Sequence, residues 1–293
     1  MTVSSNLQTR RLLVPAQRSS LLWPGDTSAP SRVRVFGLAI ENTTVAAATS
    51  SWIDAARRRR KLRAVFVNAH VVNEMAANSD YRAVVASADR LYADGSGLAL
   101  AARFAAEPLR DNVNGTDLFP ELAAAAASAR VKIFLLGGRP GIAEAAHQHM
   151  VGFGLGSAIV GTHHGYFAPG SADEDAAIAA VNASGADIVL VAMGVPMQDQ
   201  WIARHAHRLD ASVLAGVGGL FDFFAGKIER APHLMRVVGC EWVWRLLLEP
   251  RRMARRYLLG NVNFIALALI DAAWHRAGKR RASALVPAGG DVP

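Results

Sequence analysis

Between residues 33 and 216 the chain alternates short apolar runs with longer stretches that have a helical period. The runs are rich in valine, isoleucine and leucine, and they predict strands at 33–40, 64–67, 90–93, 131–136, 157–160, 188–193 and 213–216. Helices of about three turns are expected between them. Short apolar strands separated by helices are typical of a parallel sheet that is covered on both faces. The sequence therefore predicts a Rossmann-like, doubly wound α/β fold with a mostly parallel sheet over residues 32–226.

The two ends of the chain differ from this central pattern. Residues 1–31 are rich in proline, serine and threonine without a sustained period, which predicts a disordered arm. Residues 227–282 are rich in tryptophan and arginine and predict a helical, basic C-terminal appendage, followed by a flexible tail at 283–293. Within it, the apolar stretch 262–274 is interrupted by Asp271 and is too short to span a bilayer. The stretch either lies in the interface of an anionic membrane or packs on the body with a solvated basic face.

The net charge of +8 is unevenly distributed over the 293 residues. Residues 1–63 carry a net charge of +8, residues 64–226 carry −7, and residues 227–293 carry +7. A basic excess at the ends indicates an anionic partner, for which phospholipid head groups, a diphosphate ligand and nucleic acid are candidates. Cys240 is the single cysteine, so no internal disulfide is expected, and the first 30 residues lack the apolar core of a signal peptide. We therefore expect a cytoplasmic protein and leave homo-oligomerisation open.

Polar, glycine-rich segments follow several of the predicted strands. In open α/β sheets, ligands bind outside the carboxyl ends of the strands, so these segments are the expected binding site. Gly137 and Gly138 precede a helix start and expose amides suited to a diphosphate, although a structural glycine turn explains them equally well. Asp94 is placed either to act as a general base or to cap the helix that follows, and Asp222 has the same two interpretations.

The sequence gives little support for a metal site or for a nucleophilic catalytic residue. His163 and His164 are adjacent, so their side chains point to opposite faces of an extended segment. The acidic run at 173–175 opens a predicted helix, where carboxylates interact favourably with the helix dipole. Cys240 has apolar neighbours, and the sequence contains no Gly-x-Ser-x-Gly elbow. We therefore expect neither a metal ion nor a cofactor.

A series of polar and glycine-containing motifs occurs in a fixed order along the chain. They are Asn68 and the runs at 93–95, 114–118, 134–141, 160–167, 194–201, 216–222, 230–232, 241–245 and 249–252. In this order they resemble the WecG/TagA/CpsF glycosyltransferases, from about residue 33 to 265. The resemblance implies a Rossmann-like domain with an appendage that docks at the membrane. It also implies an inverting, metal-independent transfer of a hexose or N-acetylhexosamine from a UDP-sugar to a saccharide on undecaprenyl diphosphate.

The resemblance also implies roles for individual residues. Asp94 matches the proposed catalytic base of the family, and Asn68 lies beside it. The positions around the nucleotide-sugar are Tyr166, Gln198 and Asp222, and the appendage arginines that close over the diphosphate are Arg245, Arg252 and Arg255. In two places the chain departs from the family pattern, because Phe66 stands where the family often has threonine and Asn112 where it often has arginine.

Two other functions stay open on the sequence alone. A nucleotide-dependent oxidoreductase shares the α/β architecture, but it is expected to carry a dinucleotide glycine fingerprint early in the chain, where this sequence has Glu-Asn-Thr-Thr at 41–44. A non-catalytic membrane-associated protein would use the basic ends alone. The preferred interpretation predicts three partners, a UDP-sugar, a polyprenyl-diphosphate-linked acceptor and the anionic inner face of the plasma membrane, and no nucleic acid.

Overall fold

Eight strands form one sheet through the centre of the molecule. A computed structural model describes residues 31–227, 231–232, 235, 240–250 and 259–284, with the backbone alone for 278–284. The strands are β1 (Arg32–Val35), β2 (Leu38–Glu41), β3 (Leu62–Val67), β4 (Arg90–Ala93), β5 (Ile133–Gly137), β6 (Ile159–His163), β7 (Ile188–Ala192) and β8 (Val213–Gly216). They lie in the order β1-β2-β4-β3-β8-β7-β5-β6, and only the β1–β2 pair is antiparallel. The predicted mostly parallel α/β fold is confirmed.

Helices connect these strands and continue after the last one. They are α1 (Val45–Arg57), α2 (Ala69–Ala77), α3 (Ser79–Ala86), α4 (Ser96–Phe104), α5 (Gly115–Ala129), α6 (Ile142–Gly152), α7 (Ala172–Ala183), α8 (Met197–His205), α9 (Leu220–Phe224), α10 (Glu241–Leu248) and α11 (Gly260–Ala284). Asn68 and Asn78 begin α2 and α3, because each side-chain oxygen accepts amides of the first turn. A short 3₁₀ helix, Gly156–Ala158, precedes β6, so the strand predicted at 157–160 begins only at Ile159.

The strand predicted at 33–40 is in fact two strands joined by a tight turn. Phe36 and Gly37 form the turn with φ angles of 56° and 74°, both in the left-handed region. β1 then lies antiparallel to β2, with Val33 opposite Ile40. Two turn residues with positive φ suit the right-handed twist of the flanking strands. The prediction was wrong because a phenylalanine occupies the first turn position, so the apolar run continues through the turn without a polar interruption.

Apolar side chains are buried on both faces of the sheet. On one face, covered by α1, α5, α6 and α9, the Trp52 ring packs against Phe66 and Tyr92, with ring centroids 6.1 Å apart in each case. The Trp52 indole also donates to the Tyr92 hydroxyl at 3.0 Å. Helices α2, α3, α4, α7, α8 and α11 cover the other face. Phe66, one of the two departures from the family pattern, is therefore a core residue.

Strands β3 and β8 are neighbours in the middle of the sheet, and the chain leaves them toward opposite faces. Helix α2 follows β3 on one face, and α9 follows β8 on the other. A crevice forms at the carboxyl ends of such a strand pair, and ligands of open α/β sheets bind there. The segments that follow β3, β4, β7 and β8 all reach this edge of the sheet.

Helix α11 packs on the body of the protein, against α2 and α4. Its buried side chains Phe264, Ala268 and Ala272 are spaced four residues apart and therefore lie on one stripe of the helix. Asp271 borders this stripe, and its carboxylate accepts the Phe36 amide of the β1–β2 turn at 2.8 Å. This contact explains the charged residue within an otherwise apolar stretch.

The outer face of α11 and the residue before it expose large apolar side chains. These are Leu259, Val262, Ile265, Leu269, Ile270 and Trp274. Trp274 is 75% exposed, so the described part of the chain covers little of its indole. The described portion of α11 thus packs on the body, as in the second of the two interpretations, but its outer face is apolar where that interpretation expected a basic face. No helix among the described residues is long and apolar enough to cross a membrane.

The packing of α11 predicts different effects at two adjacent positions. Phe264→Ala is expected to lower the free energy of unfolding by about 3 kcal/mol, because it leaves a cavity between α11, α2 and α4. Ile265 is 42% exposed, so Ile265→Ala is the matched control and is expected to cost less than about 1 kcal/mol. Urea unfolding followed by tryptophan fluorescence measures both changes. Equal losses in the two variants would contradict this packing.

Candidate active site

The side chains of Asn68 and Asp94 meet at the carboxyl ends of the adjacent strands β3 and β4. Asn68 Nδ2 donates to Asp94 Oδ2 at 3.0 Å, and the Asp94 amide donates to the Val67 carbonyl at 2.9 Å. Gly95 is the N-cap residue of helix α4, so Asp94 lies one residue before the cap position. The Asp94 carboxylate lies beside Asn68 at the edge of the sheet.

The orientation of the Asn68 carboxamide follows from its own helix. Its Oδ1 accepts the amides of His70 and Val71 at 3.1 Å each, which caps α2. Because the oxygen is committed to two backbone donors, the amide nitrogen is the group directed at Asp94. A donor at this point favours the ionised carboxylate, which is the form that accepts a proton.

The turn after β8 forms the neighbouring part of the edge. A Cβ atom at Gly216 would lie 2.5 Å from Asp199 Oδ1 and 2.6 Å from Gln198 Nε2, so these side chains pack directly over the strand end. Gln198 is buried, and its Oε1 accepts the Gly218 amide at 2.8 Å. Gln198 therefore holds the turn that leads to Asp222. Sequence reasoning placed Gln198 near a nucleotide-sugar without revealing this contact.

Helix α10 brings an arginine to the same turn. The guanidinium carbon of Arg245 lies 4.8 Å from the centroid of the Phe223 ring, in a cation–π arrangement. Its Nη2 is 3.5 Å from the position of a Cβ at Gly219, and Asp222 Oδ2 is 3.8 Å from that point. Arg245 Nε is buried without a hydrogen-bond partner among the described residues. The appendage thus places one cation at the end of β8, whereas the predicted residues Arg252 and Arg255 lie outside the described part of the chain.

Tyr166 and Arg139 extend the polar edge beyond β7. Tyr166 follows β6 and is 62% exposed. A hydrogen bond with Tyr166 raises the pKa of Arg139, and the charge of Asp222 acts in the same direction. These three side chains follow the ends of three different strands. Sequence reasoning missed Arg139, although its position directly after the glycine pair was an available signal.

The glycine pair itself is explained by close backbone packing. A Cβ atom at Gly137 would lie 2.4 Å from the Ala192 carbonyl oxygen of β7. The Gly138 amide donates to that oxygen at 2.8 Å, and the Gly138 carbonyl accepts the Gly165 amide at 3.0 Å. Because the Gly138 amide already has an acceptor, it is not among the donors open to a phosphate. A structural turn accounts for both glycines, and the diphosphate cradle stays a prediction.

Comparison with known proteins identifies the family of this chain. The model of the Glycosyl transferase WecG/TagA/CpsF family matches residues 33–278, which include nearly the whole sheet and most of α11. The chain belongs to the WecG/TagA/CpsF family. It is a glycosyltransferase, and the oxidoreductase and non-catalytic alternatives are excluded. The resemblance carried by the sequence motifs is confirmed.

Similar proteins are found in Staphylococcus aureus, for example in strains NCTC 8325, COL and MSSA476. Each is named N-acetylglucosaminyldiphosphoundecaprenol N-acetyl-beta-D-mannosaminyltransferase. Each is 28% identical to this chain over 232 residues, which is 78% of this chain and 90% of the relative. By their name, these relatives transfer N-acetylmannosamine to an undecaprenyl-diphosphate-linked N-acetylglucosamine.

The 114–118 motif of this WecG/TagA/CpsF protein shapes a helix start. Asn114 is the N-cap of α5, where its Oδ1 accepts the Asp117 amide at 2.9 Å. Its Nδ2 donates to the Asp117 carboxylate at 2.7 Å, and the Thr116 hydroxyl donates to its Oδ1 at 2.9 Å. All of these bonds are made within the motif. The motif therefore fixes the first turn of α5.

The acidic run at 173–175 serves the core and the start of α7. Glu174 is buried, and its carboxylate accepts the Gly170 amide at 2.6 Å and the Trp201 indole at 2.9 Å. Burial opposes the charged form, but these bonds and the nearby His205 hold the pKa of Glu174 below its ordinary value. Among the residues with described side chains, no three His, Cys, Asp or Glu are grouped to hold a metal ion.

Asp199 lies beside Gln198 against Gly216 and is buried. The Tyr81 hydroxyl donates to its Oδ2 at 2.7 Å, and its Oδ1 is buried against Gly216. Burial raises the pKa of Asp199 to about 6, and the hydrogen bond from Tyr81 offsets only part of this effect. An acid with a raised pKa therefore supports the strand end that carries the glycine turn.

The raised pKa of Asp199 predicts a pH-dependent cost of folding. As the pH rises from about 4 to about 6, the carboxyl ionises first in the unfolded chain, which removes stability from the folded protein. Asp199→Asn keeps an acceptor for Tyr81 and removes the charge. We expect its free energy of unfolding, relative to the wild type, to rise by up to about 3 kcal/mol between pH 4 and pH 7.

Urea unfolding at several pH values measures this difference for Asp199→Asn. Asp210 is exposed, and Asp210→Asn is the control that is expected to show no comparable trend. A difference between Asp199→Asn and the wild type that does not change with pH would contradict the assignment.

Proposed function

We propose that the protein transfers a sugar from a UDP-sugar to a saccharide linked to polyprenyl diphosphate, with inversion at the anomeric carbon. The product would enter cell-surface or exopolysaccharide synthesis. The name of the S. aureus relatives supports the acceptor class and makes N-acetylmannosamine the first sugar to test. The observation that carries the proposal is the Asn68–Asp94 pair at the carboxyl edge of the sheet, 3.0 Å apart.

Asp94 is the general base in this proposal. A sugar hydroxyl is a poor nucleophile at neutral pH, so a carboxylate within hydrogen-bond reach removes its proton as the oxygen attacks the anomeric carbon. A new carbon–oxygen bond forms while the bond from this carbon to UDP breaks, and the bonding electrons leave with the diphosphate. Asn68 fixes the carboxylate through Oδ2 and favours its charged form.

The leaving diphosphate gains negative charge, which cations or amide dipoles must stabilise. Arg245 suits this role, because its guanidinium already lies beside Gly219 at the end of β8. Arginine forks match the geometry of phosphate oxygens. Arg252 and Arg255 are proposed to join it from the segment outside the described residues. Asp222 and Tyr166 are proposed to contact the nucleotide part of the donor at the same edge.

The outer face of α11 is proposed to lie on the anionic inner face of the plasma membrane, where a lipid-linked acceptor resides. The beginning of this helix is fixed close to the site. Asn73 of α2 donates to the Gly260 carbonyl at 2.8 Å, and the Phe264 ring lies 3.2 Å from the position of a Cβ at Gly97. Since α2 and α4 begin beside Asn68 and Asp94, a membrane-bound α11 would hold the catalytic edge near the lipid surface.

Asp94→Asn is expected to reduce sugar transfer by about 10²–10⁴-fold, because the amide cannot accept the proton. UDP affinity is expected to change by less than about threefold, because the size and position of the side chain are kept. UDP release from UDP-N-acetylmannosamine with a polyprenyl-diphosphate-linked N-acetylglucosamine measures transfer, and calorimetry measures UDP binding. Asp173, exposed in the first turn of α7, provides the control Asp173→Asn. Retained turnover in Asp94→Asn would show that another group is the base.

Membrane binding is tested by charges on the outer face of α11. The double variant Leu269→Glu, Trp274→Glu is expected to bind vesicles of phosphatidylcholine and phosphatidylglycerol at least about tenfold more weakly, with UDP affinity unchanged. Val151 is an exposed apolar residue at the end of α6, so Val151→Glu is the matched control. Co-sedimentation measures the binding. Equal binding by wild type and double variant would exclude α11 as the docking surface.

A further inference from the structure

The turn between β4 and α4 is held by two hydrogen bonds to other parts of the chain. The Asp94 amide donates to the Val67 carbonyl at 2.9 Å, and the Gly95 amide donates to Asn112 Oδ1 at 2.7 Å. Gly95 has φ 89° and ψ 159°, a backbone conformation that essentially only glycine adopts. The amide of a residue at a helix start lacks an intrahelical acceptor. The Asn112 side chain supplies that acceptor.

The backbone around Asn112 is itself anchored. The Asn112 amide donates to Asp111 Oδ1 at 2.9 Å, and the buried Asp111 accepts the Val45 amide through Oδ2 at 3.3 Å. One residue earlier, the Arg110 amide donates to the buried Asn42 side chain at 2.7 Å. Two buried polar side chains therefore tie this loop to the segment between β2 and α1. Because the backbone at residues 110–112 is held in this way, the Asn112 side chain has a defined position beside Gly95.

We propose that Asn112 is a positioning residue for Asp94. By accepting the Gly95 amide it fixes the direction in which the chain leaves β4, and Asn68 then fixes the rotation of the carboxylate. The inference rests on the proposed role of Asp94 as base and deepens it. Position 112 is one of the two departures from the family pattern, and the short carboxamide found here serves the backbone of the catalytic turn.

Removal of the acceptor is the first test. Asn112→Ala is expected to lower kcat about 10- to 100-fold, because a small displacement of a catalytic group has effects of this size. The KM for the UDP-sugar and the Kd for UDP are expected to stay within about twofold. Hydrogen exchange of the Gly95 amide is expected to be faster in the variant. If this variant does not fold, Asn112→Ser replaces it, since its side chain is too short to reach Gly95.

A variant that keeps an acceptor is the second test. Asn112→Asp retains an oxygen for the Gly95 amide, so its plateau kcat is expected to stay within about threefold of the wild type. Its added charge lies close to Asp94, and a second carboxylate raises the pKa of the first. The acid limb of its kcat/KM profile is therefore expected to move to higher pH. A role confined to overall stability would not shift this limb.

Asn182 provides the matched control for both variants. Its carboxamide oxygen accepts the Asp210 amide at 3.0 Å in the loop before β8, at the opposite edge of the sheet. Asn182→Ala therefore removes the same kind of bond and is expected to leave kcat unchanged.

Three results would overturn the positioning role of Asn112. They are an unchanged kcat in Asn112→Ala, a parallel loss of UDP affinity in that variant, and an Asn112→Asp protein as inactive as Asn112→Ala at every pH. Failure of the proposed function looks different, because the wild type would then release no UDP from any UDP-sugar with the lipid-linked acceptor.

Discussion

The Asn68 carboxamide satisfies three polar groups at once, and the candidate site depends on it. Its oxygen accepts two amides at the start of α2, and its nitrogen donates to Asp94. One side chain thus begins a helix and orients a carboxylate. The two helix amides bind the carboxamide oxygen and so determine which way the group faces. The start of α2 is therefore the reason that the amide nitrogen of Asn68, and not its oxygen, contacts Asp94. The orientation of the Asp94 carboxylate and the capping of α2 are therefore coupled at a single residue.

Close backbone packing determines which groups remain at the edge of the sheet. Gly137 and Gly216 are positions where a Cβ atom would lie within 2.6 Å of neighbouring atoms. At Gly137 the neighbour is the β7 backbone, and at Gly216 the neighbours are the Gln198 and Asp199 side chains. The contact at Gly137 fills space, and the Gly138 amide is bonded to the Ala192 carbonyl, so neither is open to a phosphate. At Gly216 the absence of a Cβ leaves room for the Gln198 side chain, which accepts the Gly218 amide and so holds the next turn. Close packing at this strand end therefore forms one side of the crevice.

The strands and helices of the body were predictable because their apolar runs are buried on both faces, and local spacing carries that signal. The β1–β2 turn was missed because Phe36 continues the apolar pattern through residues of positive φ. At the site, Asp94 was identified from its position after a strand, but local spacing could not show that Gly95 is the N-cap residue of α4 and that the carboxylate lies beside Asn68. Asn112 acts on Gly95 across 17 residues, and no local pattern encodes such a bond.

The fold shows where the unevenly distributed charges of the chain lie. Several acidic residues of the central part have structural roles, since Glu174, Asp199 and Asp111 are buried and hydrogen-bonded within the protein. The basic run before β3 lies at the amino edge of the sheet, where Lys61 donates to the carbonyls of the loop before β8. Such a run cannot reach a ligand at the carboxyl edge. Arg245 does reach that edge, so in the proposed function it is the appendage, and not the N-terminal basic run, that brings positive charge to the donor diphosphate.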